Sequence, residues 1–238
     1  MKIAIVLLFG GLLYSQTSSV PLSLSDGDEV KAGEALANDF EQQEGMAPTP
    51  QTNKIDEYLQ TVGDRVAAHA QRKLPYRFHF DPSPTFRSAV GLPGGQVFVG
   101  AGILAYIDTE DQLAMVLGHE VEHIALNQCR DRLIKVLSDQ HLSPQDAGKL
   151  KVDPFLPGYG HDNEFAADRE GVKLAMQAGY SADAAVRLLQ TYVILGEQMT
   201  HSENEAKANL EARIAQIKLI SQQSKSPKPT AEKPLALP

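Results

Sequence analysis

A pair of histidines four residues apart constrains the fold of this chain more than any other feature of its sequence. The stretch His119-Glu120-Val121-Glu122-His123 follows a helix-start signature at residues 109–112. Residues i and i+4 of a helix lie on one face, so both imidazoles can reach one metal ion. Glu120 lies at the edge of that face, where its carboxylate can act as general base toward a water molecule. Glu122 is predicted to point elsewhere, as a surface or supporting group. The alternative interpretation is two surface histidines on an acidic helix.

The surrounding pattern predicts an α+β domain over residues 25–220, mostly helical with a small, short-stranded sheet. The predicted helices cover residues 25–44, 54–71, 110–132, 163–177, 182–196 and 209–220, and the predicted strands cover 77–80, 87–90 and 96–99. A Gly-Leu-Pro-Gly-Gly sequence at residues 91–95 predicts a tight turn between the last two strands. Residues 143–160 are predicted to be a partly irregular insertion, and residues 221–238 a disordered tail.

Composition narrows the possible functions. The chain has 22 basic and 30 acidic residues, and its net charge of −8 disfavours nucleic acid as a partner. Its apolar content of 42% is sufficient for a hydrophobic core. A single cysteine, Cys129, excludes an internal disulfide and a multi-cysteine metal module, and we expect it to be buried.

The first twenty residues have the features of a targeting segment. A short basic start at Lys2 precedes an apolar run and a Ser/Thr-rich stretch, the pattern of a secretory signal peptide. The run is shorter than the roughly 20 residues that a membrane-spanning helix needs. We therefore expect residues 1–20 to be a cleaved signal and the protein to be exported, to the periplasm or the extracellular space. An uncleaved membrane anchor is the alternative.

A third metal ligand is expected on a later helix. Glu164 and Asp168 are again four residues apart, within Glu164-Phe165-Ala166-Ala167-Asp168. A catalytic zinc site takes three protein ligands and keeps one open position. Glu164 as the ligand, with Asp168 accepting a hydrogen bond from a ligand imidazole, would complete such a site. A solvated helix face is the alternative for this pair.

Three segments together resemble the M48 family of zinc metallopeptidases. They are the Leu-Pro-Gly-Gly turn with its following strand at residues 92–99, the Leu-Gly-His-Glu-x-x-His helix at 117–123, and the Glu-x-x-Ala-Asp-x-x-Gly segment at 164–171. The resemblance covers residues 55–220 and implies a zincin-like fold with one zinc ion per chain. It departs from the family in the four residues before the Leu-Pro-Gly-Gly turn. Within the family, this chain is similar to the small exported members, and that resemblance implies membrane-associated partners.

The resemblance also singles out two downstream residues. His201 and Arg213 are similar to a His-Pro segment with a following arginine in the family, although Ser202 replaces the proline. By that resemblance, His201 approaches the metal, where it either stabilises the oxyanion or occupies the open position and inhibits. A loop histidine in solvent is the alternative.

These observations predict a zinc endopeptidase that cleaves unfolded or misfolded exported proteins. We expect residues 96–99 to be an exposed edge strand facing the active-site cleft, where an extended peptide can pair by β-augmentation. The predicted substrate-binding residues are Gly94, Gly95, Gln96, Val97 and Phe98. A non-proteolytic, zinc-containing binding module for client proteins is one alternative, and an aminopeptidase is another. The oligomeric state is not predicted.

Overall fold

The computed structural model describes residues 22–151, 159–199, 204–224 and 232–238, and gives only the backbone of residues 195–199 and 204–207. The helices are α1 (Asp26–Gln43), α2 (Pro50–Ala67), α3 (Ala101–Leu104), α4 (Glu110–Ala125), α5 (Gln128–Asp139), α6 (His161–Gln177), α7 (Ala182–Met199) and α8 (Asn204–Gln223). The strands are β1 (Arg77–Asp81), β2 (Ala89–Leu92) and β3 (Gln96–Gly100). This confirms the predicted α+β class. The predicted signal peptide at residues 1–20 lies outside the described residues, as does most of the second half of the predicted insertion.

The sheet has the strand order β1-β3-β2, with β1 parallel and β2 antiparallel to β3. The prediction that β3 is an exposed edge is therefore wrong, because it is paired on both sides and all five of its residues are buried. The uninterrupted Val97-Phe98-Val99 run is the sequence pattern of a strand buried on both faces. Gly94 and Gly95 are buried too, so the residues predicted to bind a peptide have no free strand edge. The edge next to α4 is β2.

The predicted turn between β2 and β3 is confirmed at residues 93–95 and depends on its glycines, whereas Gly91 and Leu92 of the predicted turn belong to β2. Gly94 has a φ of 76° and Gly95 a φ of 104°, which is backbone that other residues rarely adopt. Helix α1 packs directly on this turn. The buried carboxylate of Glu29 accepts a hydrogen bond from the N–H of Gly94 at 3.1 Å and pairs with Arg72 at 2.7 Å. Helix α1 therefore fixes the turn from which β2 and β3 leave.

We predict that Gly33→Ala destabilises the protein by about 3 kcal/mol, because overpacking a close contact forces the backbone to move. A Cβ atom at Gly33 would lie 1.8 Å from the carbonyl oxygen of Pro93. Urea unfolding measures the change. Gly27→Ala is the matched control on the same helix, since its Cβ would be in ordinary van der Waals contact with Ser25 Oγ, at 3.9 Å. Equal stability of the two variants would contradict this packing.

Helix α4 begins as predicted and ends earlier. The Thr109 side chain accepts from Gln112 N–H, and the Gln112 side chain accepts from the N–H of Thr109, which completes the predicted capping box. The predicted single helix to residue 132 is wrong, because Asn127 has a φ of 64° and separates α4 from α5. Asparagine tolerates this left-handed conformation better than most residues. The break brings Gln128 beside the histidine motif.

The C-terminal residues are more ordered than their composition suggests. Helix α8 extends to Gln223, and Pro234 forms an antiparallel bridge with Thr109. The N–H of Glu110, which has no partner within α4, donates to the carbonyl of Lys233 at 2.8 Å. The predicted disorder is therefore wrong for residues 232–238, because the start of α4 supplies hydrogen-bond partners that composition does not reveal. Among the described helices, none is long and apolar enough to cross a membrane.

Candidate metal centre and active site

Two glycines allow the helices that carry the candidate ligands to approach closely. A Cβ atom on Gly118 of α4 would lie 2.6 Å from the carbonyl oxygen of Gly171 on α6. A Cβ atom on Gly171 would likewise lie 2.7 Å from the backbone of Gly118. Any larger residue would force the two helices apart. This contact places the histidines of α4 opposite the first turns of α6.

The three predicted ligand side chains converge where α4 crosses α6. The Nε2 atoms of His119 and His123 are 2.9 Å apart. The Glu164 carboxylate lies 3.4 Å from Nε2 of His119 and 3.7 Å from Nε2 of His123. One ligand atom from each residue lies within 4.8 Å of the others. His123 and Glu164 are 41 positions apart in the sequence, and the fold brings them together. Two histidines and one glutamate are a ligand set that zinc has in catalytic sites.

Neighbouring acceptors orient both imidazoles toward this point. Nδ1 of His119 donates to the Asp168 carboxylate at 2.9 Å, and Nδ1 of His123 donates to Oε1 of Gln128. Each Nε2 is then available as a metal ligand, since the second partner of a ligand histidine fixes its tautomer. Asp168 therefore lies where the sequence predicted an imidazole acceptor. The residues present fit a divalent cation such as zinc.

The electrostatics of the cluster also favour a cation. Burial disfavours the protonated form of His119, but hydrogen bonds to Asp168 and Glu164 outweigh it and raise its pKa to about 10. Burial and the positive charge of His119 lower the pKa of His123 to about 3. Burial opposes ionisation of Glu164, yet the hydrogen bond and charge of His119 lower its pKa to about 2. The carboxylates of the cluster therefore favour a second proton on the His119 imidazole, at Nε2. A bound metal ion would take the place of this proton.

Glu120 lies beside the ligand cluster and is held by the sheet. Its side chain is buried, and Oε2 accepts a hydrogen bond from the N–H of Gly91 in β2 at 2.7 Å. Burial raises the pKa of Glu120, an effect that the charge of His119 partly offsets. A carboxylate in a fixed position with a raised pKa suits a general base.

The edge of β2 next to Glu120 has a defined hydrogen-bonding pattern. Gly100 N–H donates to the carbonyl of Ser88 at 3.0 Å, so in this antiparallel pair Ala89 and Gly91 direct their backbone groups away from β3. Gly91 is occupied on that side, by Glu120 at its N–H and by the Cys129 thiol at its carbonyl. Ala89 lies at the cavity beside Glu120. The backbone edge that remains beside the cavity is therefore at Ala89, on β2, and not on β3. The carbonyl of Ala89 also accepts a hydrogen bond from the Ser88 hydroxyl at 3.0 Å.

Arg213 on α8 reaches the cluster through Asp168. Its Nη2 donates to Oδ1 of Asp168 at 2.8 Å, its Nε donates to Oδ2, and its Nη1 lies 3.8 Å from Glu164. Burial opposes ionisation of Asp168, but Arg213 and His119 together lower its pKa to about 2. The guanidinium thereby keeps Asp168 charged and oriented toward His119. The other downstream residue singled out in the sequence, His201, lies outside the described residues.

Two residues that the sequence did not single out contact the ligands. Gln128 orients His123, as described above. Tyr159 donates its N–H to Glu164 at 3.0 Å, and its ring lies 4.4 Å from that of His123. Its hydroxyl lies 3.1 Å from the sulfur of Cys129, which is buried as predicted. Neither residue has a recognisable spacing to the motif, because one follows the helix break and the other a proline-rich segment.

Glu122 does not belong to the site. The prediction that Glu122 is a surface group is wrong, because its side chain is only 5% exposed. Burial and the nearby charge of Glu170 raise its pKa to about 7. Its charged neighbours, Glu170 and Lys173, lie further along α6 than the ligand Glu164, and none of the cluster residues is among them.

A cavity of about 210 Å³ opens beside the cluster. His119, Glu120 and Glu164 form one part of its wall. The remaining wall is largely apolar, with side chains from α3, α4, α6, α7 and α8 that include Ile103, Met115, Val116, Val172, Leu188 and Leu189. The candidate ligands and base thus meet a space that can accept an apolar side chain of a bound peptide.

Comparison with known proteins places these residues within a family. The model of peptidase family M48 matches residues 53–221, a range that includes all the ligand residues, Glu120, Asp168 and Arg213. The "Beta-barrel assembly-enhancing protease" of Escherichia coli (strain K12) is 26% identical over 199 residues, 73% of this chain and 39% of that protein. The protein of the same name from Yersinia pestis is 25% identical over 209 residues, 76% of this chain and 42% of that protein. "Metalloendopeptidase OMA1, mitochondrial" of Bos taurus is 31% identical over 126 residues, 44% of this chain and 24% of that protein.

The match leaves two parts of the chain uncovered. Helix α1, which holds the turn before β3, precedes the matched range. Residues 232–238, which bridge to the start of α4, follow it. The chain spans about two fifths of the length of the first relatives it matches. With most of its length inside the family match, the chain belongs to peptidase family M48 and carries that family's metalloendopeptidase domain.

Proposed function

We propose that this protein is a zinc-dependent endopeptidase that cleaves unfolded or misfolded exported proteins. His119, His123 and Glu164 would hold one zinc ion per chain. The observation that carries the proposal is the convergence of these three donors beside a buried carboxylate, at the wall of a cavity next to a sheet edge. Asp168 and Arg213 would orient His119, and Gln128 would orient His123.

The geometry supports distinct roles for the residues around the reacting bond. A bound zinc ion supplies Lewis-acid chemistry, which polarises a carbonyl and makes water acidic. Glu120 accepts a proton from the attacking water while the water oxygen bonds to the carbonyl carbon. It then passes this proton to the leaving amine as the C–N bond breaks. The N–H of Gly91 holds the Glu120 carboxylate in place during both transfers.

The edge of β2 and the cavity support the proposed substrate class. Backbone pairing at Ala89 requires an extended segment, and the apolar wall favours a peptide with an apolar side chain near the cleaved bond. Folded proteins bury such segments, whereas unfolded chains expose them. The expected signal peptide supports exported substrates. The name of the Escherichia coli relative, which joins proteolysis to β-barrel assembly, supports the same class.

The test is cleavage of casein, an unfolded protein, by the full chain, with the products mapped by mass spectrometry. We expect internal cleavages next to apolar residues, loss of cleavage with the chelator 1,10-phenanthroline, and recovery on adding zinc. Removal of single residues from the N-terminus would instead indicate an aminopeptidase. Stable casein binding by zinc-loaded protein without any cleavage would indicate a binding module and contradict the proposal.

A further inference from the structure

Among the residues named so far, none offers a free hydrogen-bond donor to the carbonyl oxygen of the peptide bond being cleaved. When water adds to the carbonyl carbon, the carbonyl oxygen gains negative charge, and a donor fixed near that oxygen lowers the barrier. The ligands and Glu120 are acceptors toward the cavity, and both Nδ1–H groups of the histidines are occupied. The remaining polar groups on the cavity wall therefore decide which residue can act as this donor.

Most side-chain donors on the wall are already engaged. The Ser88 hydroxyl donates to the carbonyl of Ala89 at 3.0 Å. Nε and Nη2 of Arg213 donate to Asp168, and its Nη1 lies 3.8 Å from Glu164. The Tyr192 hydroxyl is different, because it donates to no atom in the part of the chain that the structure describes. A mostly buried hydroxyl without an acceptor is a donor available to a ligand.

The position of Tyr192 suits that role. It lies on α7, one turn after Leu188, and lines the same cavity as His119 and Glu120. Its ring packs against the main hydrophobic core, so the side chain is held at the wall. Burial raises the pKa of its hydroxyl, and the charge of Glu120 raises it further, so the group keeps its proton at neutral pH.

We propose that Tyr192 is a catalytic residue that donates a hydrogen bond from its hydroxyl to the carbonyl oxygen of the peptide bond being cleaved. The proton stays on Tyr192 throughout, while Glu120 carries the transferred proton. This inference rests on the proposed endopeptidase function and adds a residue to it. The hydrogen bond strengthens as the oxygen gains charge, so it contributes to the rate of the reaction more than to substrate binding.

The test is Tyr192→Phe, which removes the hydroxyl and keeps the ring. With a fluorogenic peptide based on a mapped casein cleavage site, we expect kcat to fall about 100-fold, the usual effect of losing one such donor. KM, zinc content and melting temperature should change little. Tyr106→Phe is the matched control, since Tyr106 is half-buried and lies outside the cavity wall; its kcat should equal that of the parent.

A second measurement separates a catalytic role from a structural one. A phosphinic analogue of the same peptide imitates the charged tetrahedral state, so its inhibition constant should rise with Tyr192→Phe as kcat falls. An unchanged kcat and inhibition constant in Tyr192→Phe, with an active parent, would overturn the role of Tyr192 alone. A parent that cleaves neither casein nor the peptide would overturn the proposed function, and this inference with it.

Discussion

Glu120→Gln is expected to lower casein cleavage by about 10³-fold, within the usual contribution of a general base. The amide keeps the size of the side chain but cannot accept the proton of the attacking water. Glu120 is not one of the converging ligands, so zinc content should remain that of the parent. Initial rates of cleavage and metal analysis on the same preparation measure both effects.

Glu122→Gln is the matched control for this variant. Glu122 lies two residues away on the same helix and is also buried, and its charged neighbours are Glu170 and Lys173, not the cluster residues. Because burial raises its pKa to about 7, a neutral amide replaces a side chain that is already partly protonated, and we expect normal cleavage. Equal activity of the Glu120→Gln variant and the parent would contradict the assignment of the base.

Glu164→Gln is expected to weaken zinc binding by more than about 100-fold, since loss of a partner of a ligand alone costs about 10- to 100-fold. The neutral amide is a poorer ligand than the carboxylate. The substitution also leaves Asp168 as the one remaining carboxylate of the two that contact His119 and attract a cation. Competition with a fluorescent zinc chelator measures the affinity. Casein cleavage should fall in parallel and recover in part at high zinc concentration.

A control on the same helix distinguishes this effect from damage to α6. Glu170 pairs with Arg169 and Lys173 at the surface, at 2.7 and 3.0 Å. Glu170→Gln should leave zinc affinity and cleavage unchanged. Zinc binding by Glu164→Gln as tight as that of the parent would mean that another residue supplies the third ligand.

The part of the site that the sequence predicted is the part that depends on local helix geometry. The spacing of His119 and His123 on α4, and of Glu164 and Asp168 on α6, fixes which side chains share a face whatever the tertiary structure. The capping box at Thr109 is similarly local. These features, with the family resemblance, predict the candidate ligands without the contact between α4 and α6.

The errors concern features that depend on contacts distant in sequence. Whether β3 is an edge depends on β1, which pairs with it from the far side. The order of residues 232–238 depends on backbone groups at the start of α4. Gln128, Tyr159 and Tyr192 reach the site only through the break at Asn127 and the packing of α5, α6 and α7. Composition and periodicity carry no information on such contacts.

The central claim is that one zinc ion binds between α4 and α6. Crystals of the zinc-loaded protein, with diffraction data collected above and below the zinc absorption edge, test it most directly. We expect one anomalous peak, bonded at about 2.0–2.2 Å to Nε2 of His119, Nε2 of His123 and the carboxylate of Glu164. Zinc bound by other side chains, with no peak between these three, would contradict the account.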